Sequence, residues 1–73
     1  MPKLPVLSGR EVIRALESVG FDQSRQRGSH VTLRRDNKVC VVPLHKEIAI
    51  GTLSGILRQA GVTSDDFAKA LLQ

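Results

Sequence analysis

Hydrophobic periodicity changes at Gly20, and that change confines the chain to a small set of folds. Upstream, Val12, Ile13, Leu16 and Val19 recur at helical spacing. Downstream, residues 29–35 alternate with a period of two: Val31 and Leu33 point one way, and His30, Thr32 and Arg34 the other. A helical period giving way to a strand period in so short a chain calls for an α+β fold, with helix laid on one face of a sheet.

Local signals place the elements. Ser8-Gly9-Arg10-Glu11 has the form of a capping box, with Ser8 as N-cap and Glu11 reaching back, and opens a helix over about residues 9–19. Gly20 suits the left-handed residue that ends it. A first strand follows over residues 21–26, then a tight turn around Arg27-Gly28 and a second strand over 29–35. Asp36-Asn37-Lys38 supplies another turn, and residues 39–44 form a third strand, apolar on both parities. Pro43 near its end marks a sheet edge or a strand terminus. After a polar link over residues 45–47, Gly51-Thr52 opens a second helix with Leu53, Ile56, Leu57 and Ala60 on one face, and Gly61 closes it. Thr63-Ser64-Asp65-Asp66 caps a short final helix bearing Phe67, Ala70 and Leu71. Asp65 and Asp66 match acids in a first helical turn better than a metal pair. Pro2 and Pro5 keep the N-terminal stretch extended. The expected product is one domain over residues 1–73, of α-β-β-β-α order plus a C-terminal helix. Its helices cover one face of a three-stranded antiparallel sheet and leave the other open. His30 then stands on the solvent side.

Size and charge narrow the chemistry. A chain of 73 residues buries only about 60% of the surface it exposes when unfolded. Such a domain has no room for a deep substrate chamber, so any reaction belongs on an open surface. Eleven Lys and Arg against seven Asp and Glu leave a net charge of +4, which favours a polyanionic partner. Phe21 and Phe67 are the only aromatic residues, and both read as core. Recognition by base stacking needs exposed rings, so backbone and shape should be gripped instead. The single cysteine, Cys40, excludes an internal disulfide, reads as a small buried hydrophobe and suits a reducing compartment. Residues 1–7 lack the apolar core of a signal peptide, and no apolar run reaches membrane-spanning length. A cytoplasmic location away from membranes is expected.

One Cys and two His do not complete a structural zinc site, and no carboxylate pair is placed to hold magnesium. No glycine-rich phosphate loop is present either, so neither metal nor cofactor is expected. Histidine remains as the group that exchanges a proton near neutral pH. RNA carries its own nucleophile, the 2′-hydroxyl. An enzyme acting on it needs only to orient that group, move protons and stabilise charge on the phosphorane. His30 is the candidate base, flanked in sequence or by parity by Arg25, Arg27 and Arg34. If the second hairpin turns on Asn37-Lys38 alone, His45 faces His30 as a second acid or base; a turn on Asp36-Asn37, or on three residues, breaks that pairing. The same counting at the first turn puts Phe21 on the open face unless a bulge intervenes. The residues alone leave two readings standing beside the nuclease: a polar strand histidine in a non-catalytic RNA-binding module, and a protein-docking sheet face.

The ordered set Leu4-Pro5, Ser8-Gly9-Arg10-Glu11-Val12, Gly20-Phe21, Arg25-Gln26-Arg27-Gly28-Ser29-His30, Val42-Pro43-Leu44-His45 and Gly51-Thr52-Leu53-Ser54-Gly55-Ile56-Leu57-Arg58-Gln59-Ala60-Gly61 resembles the HicA toxin family. The likeness runs from about Leu4 to Phe67. It implies a double-stranded-RNA-binding-like fold and a ribosome-independent, metal-independent endoribonuclease acting on mRNA. By the same resemblance the histidine of Gly-Ser-His is catalytic, a role that falls on His30, with Gly28 and Ser29 shaping the turn that presents it. A HicB-type antitoxin covering the active surface is implied too, as is a role in growth arrest under stress. Family members often carry a basic residue or Pro just before the Gly-Thr that opens the second helix, where this chain has Ala49-Ile50. The helix N-terminus at Thr52 can still offer amides to a phosphate, and Lys46 is the nearby charge able to compensate.

Overall fold

A computed structural model describes residues 6–72; the extended stretch expected around Pro2 and Pro5, and Leu4-Pro5 of the resemblance, lie outside them. Six elements follow in order: α1 (Gly9–Ser18), β1 (Asp22–Arg27), β2 (His30–Arg35), β3 (Lys38–Pro43), α2 (Ile50–Ala60) and α3 (Ser64–Ala70). The strands form one antiparallel sheet in the order β1-β2-β3. This is the α+β arrangement expected from the periodicity, an open three-stranded layer backed by helices, and it has the double-stranded-RNA-binding-like form that the resemblance implies.

Two of the three helices begin on a side-chain cap. The Ser8 backbone N–H donates to Glu11 Oε1 at 3.0 Å, and the Glu11 N–H donates to Ser8 Oγ at 3.2 Å, which completes the capping box of α1. Thr63 caps α3 by accepting from the Asp66 N–H at 3.0 Å, with Asp65 and Asp66 in the first turn. α2 starts one residue earlier than its Gly51-Thr52 signal, on an Ala49 N-cap that offers no side-chain hydrogen bond.

The parity of β2 organises the core. Val31 and Leu33 are buried, and so are Cys40 and Val42 of β3, all facing the helices. Val12, Leu16, Leu53, Leu57 and Phe67 close over them in one continuous cluster. Each such side chain contributes roughly 1.5–3 kcal/mol on leaving water. Cys40 is part of this layer, and burial pushes its thiol up to about 11. On the other face, Val39 and Val41 are exposed, as are His30 and Arg34.

Three local features depart from simple counting. The first hairpin turns on residues 28–29, one place later than expected, with Gly28 at φ +55° supplying the positive φ of the first turn position. A bulge between Gln23 and Arg25 shifts the β1 register, and this extra residue returns Phe21 to the helix side, where it is buried. Arg35 shares its parity with Leu33 and so turns inward: its guanidinium lies 4.9 Å from the Phe21 ring centroid and donates to the Val19 carbonyl at 2.6 Å. That carbonyl belongs to the C-cap of α1, so Arg35 ties the sheet to the end of the helix. β1, of sequence DQSRQR, has no apolar residue and is exposed along its whole length.

Candidate active site

His30 is the first residue of β2, delivered by the turn at Gly28 and Ser29. Because Val31 and Leu33 must face the helices, His30 faces solvent, and it is exposed. Its cross-strand partners are Arg27 on β1 and Pro43 on β3. Directly opposed side chains in such a ladder have Cβ atoms about 4.5–5.5 Å apart, which brings the Arg27 guanidinium within reach of the imidazole. Arg25 pairs with Thr32, the next residue of the same face. Arg34 also lies on this face but further along β2, about 13 Å from His30 by strand rise. The register thus gathers Arg25 and Arg27 at the histidine and leaves Arg34 at the opposite end of the strand.

The proposed opposition of the two histidines is not formed. The second hairpin turns on Asp36-Asn37, so Arg35 pairs with Lys38 and His30 with Pro43. His45 lies past the end of β3, exposed, at the level of the Gly28 turn rather than opposite His30. Asp36 takes φ +54° at the first turn position, a conformation Asp tolerates better than most residues. That preference was the available signal for the turn lying one place earlier.

The end of the sheet that carries His30 also carries the start of α2. The chain leaves β3 at Pro43 and enters α2 at Ile50, with Lys46 exposed on the link and Thr52 exposed in the first helical turn. The first N–H groups of a helix have no partner within it, and Ala49 provides none through its side chain. The His30 face itself is open, not a hollow. A cleft of about 390 Å³ lies elsewhere, between Ser18, Val19, Arg35, Gly61 and Lys69, and contains neither histidine. Among the described residues no three His, Cys, Asp or Glu side chains cluster as metal ligands would, and no helix is long and apolar enough to cross a membrane.

Residues 9–62 match the family described as the HicA toxin of bacterial toxin-antitoxin systems. The chain belongs to the HicA toxin family. The match spans α1, the whole sheet and α2, and so includes every candidate site residue from Arg25 to Thr52. Membership in HicA makes the chain a toxin of a toxin–antitoxin pair, with an antitoxin as its partner. No curated protein matches it.

Sequence reading missed one group on this HicA scaffold. Residues 7–9 run against residues 43–48: Leu7 bridges Ile48, the Ile48 N–H donates to the Leu7 carbonyl at 2.7 Å, and the Gly9 N–H donates to the His45 carbonyl at 2.9 Å. The pattern Leu-Ser-Gly gives no strand signal, so nothing local announced this pairing.

Proposed function

We propose that this HicA-family toxin is a metal-independent endoribonuclease that cleaves mRNA, with His30 as the general base. The observation that carries the reading is the exposed imidazole at the head of β2 with Arg27 directly across the ladder and Arg25 on the same face. In the reaction, His30 accepts the proton of a ribose 2′-hydroxyl. The 2′-oxygen attacks the adjacent phosphorus and the bond to the 5′-oxygen breaks, leaving a 2′,3′-cyclic phosphate and, after protonation from water, a free 5′-hydroxyl. Arg27 and Arg25 stabilise the charge that builds on the phosphorane oxygens. Gly28 and Ser29 hold the turn, while Lys46 and the α2 start at Thr52 bind backbone phosphates beyond the scissile bond. Arg34 acts at longer range on the same strand of RNA.

A HicB-type antitoxin occluding this open face accounts for inhibition, and mRNA as substrate places the activity in the cytoplasm. The sheet face offers no aromatic platform, since Phe21 and Phe67 are both buried, so base selectivity is expected to be weak. The test is cleavage of a labelled mRNA by purified protein in chelator. His30→Ala lowers the rate by roughly 10²–10⁴-fold and leaves the circular dichroism and melting curve near those of the wild type, because His30 makes no core contact. Cleavage by His30→Ala at the wild-type rate rejects the assignment, and salt-sensitive RNA binding without cleavage by the wild type makes the chain an RNA-binding module instead.

A further inference from the structure

We infer that Gly9, at the start of α1, is a positioning residue for the His30 turn, acting through the segment that follows β3; this rests on the ribonuclease reading for its catalytic consequence. Gly9 is buried, and its φ lies outside the left-handed region, so backbone conformation does not require glycine here. Space does. A Cβ at this position would clash with the Pro43 carbonyl oxygen and approach Leu44 Cα to 3.0 Å. Both obstacles are backbone, with no flexible side chain to swing aside.

The same segment is held from both sides. The Gly9 N–H donates to the His45 carbonyl at 2.9 Å, and the Leu44 N–H donates to the Ser29 carbonyl at 2.7 Å. Residues 44 and 45 are consecutive, and Ser29 is the residue immediately before His30. Three backbone groups in a row therefore connect the head of α1 to the head of β2: the helix start sets the height of residues 43–45, and these set the Ser29 carbonyl. On its other side the turn meets the exposed β1 strand, where the Gln26 side-chain amide donates to the Gly28 carbonyl at 3.0 Å; from the β3 side it is held by the Leu44 N–H, next to the buried Gly9 contact. Displacing that support by the width of a methyl group moves the imidazole relative to a bound ribose, and a misplacement of about 1 Å costs on the order of 10² in rate.

Gly9→Ala tests the linkage sharply because alanine is the better helix former; any loss comes from the contact and not from helix propensity. Two readouts are needed. Without RNA, the Ser29 carbonyl and His30 ring resonances are compared with those of the wild type. With labelled mRNA in chelator, kcat and KM are measured separately. Gly9→Ala is expected to shift both resonances and to lower kcat about 10²-fold with KM changed less than about threefold. Ala70→Gly, on α3 beside Ser18 at the far end of α1, serves as the stability control, compared at a temperature giving the same folded fraction. It is expected to leave the resonances and kcat in place. Should Gly9→Ala not fold, a chemically ligated chain with an ester in place of the Leu44 amide removes the N–H that supports Ser29 and is read in the same way. Unmoved His30 and Ser29 resonances, or an equal loss of kcat in Ala70→Gly, overturn the inference. A wild type that does not cleave RNA rejects the ribonuclease reading alone, and the resonances then decide the linkage.

Discussion

The two long helices begin in opposite ways at the same end of the sheet. α1 opens with three of its backbone donors used: the Ser8 and Glu11 N–H groups on each other's side chains, and the Gly9 N–H on the His45 carbonyl. α2 opens on Ala49, with no side-chain cap and with Ile50, Gly51 and Thr52 all exposed. Helix N-termini carry about half a positive charge and attract anions. One of these ends is neutralised by its own carboxylate and serves as a fixed post. The other is left uncapped, as the proposed phosphate contact at the α2 start requires.

The contrast can be broken from either side. The largest effect is expected from Ser8→Ala, which removes the cap of the closed end: about 1 kcal/mol of stability, seen as a fall in Tm of roughly 4–8 °C, with RNA affinity unchanged. Ala49→Ser closes the open end without adding charge. It is expected to raise stability by about 0.5–1 kcal/mol and to weaken RNA binding by roughly two- to fivefold, measured by salt-controlled titration. A serine there that leaves affinity untouched would remove the α2 start from the RNA-binding surface. The smallest effect is electrostatic. The backbone hydrogen bond from Ser8, helped by the Ser8 hydroxyl and by Arg14, holds the Glu11 carboxyl below its ordinary value of 4.5. A carboxyl depressed in the folded state contributes stability that is complete above its unfolded pKa and is lost as pH falls through the folded one. The Tm difference between wild type and Glu11→Gln should accordingly shrink as pH drops from about 5 to about 3, and a difference independent of pH would remove the carboxylate from the cap.

Much of the architecture was legible because β2 keeps its alternation of two along its whole length. Val31 and Leu33 could face only the helices, so His30, Thr32 and Arg34 could face only solvent, and the structure keeps that division. The Ser8–Glu11 and Thr63–Asp66 caps were equally plain, being complete within four residues. Register was harder, since it depends on which two residues occupy a turn. Both hairpins differ by one place from the first count, and the Gln23–Arg25 bulge was required by Phe21 without being visible in DQSRQR itself. The shift separates His45 from His30 while leaving Arg27 opposite. Gly9 was noticed only as part of a helix start. Its closeness to Pro43 is a meeting of residues far apart in the chain, and no local pattern encodes that.

Cys40 offers a use unconnected with RNA. It is the sole thiol of the chain and lies in the layer between sheet and helices, with ionisation pushed up to about 11. A sulfhydryl reagent meets it only when β3 and the helices part, since a buried, protonated thiol is inert. Labelling at this one atom therefore counts openings of the core.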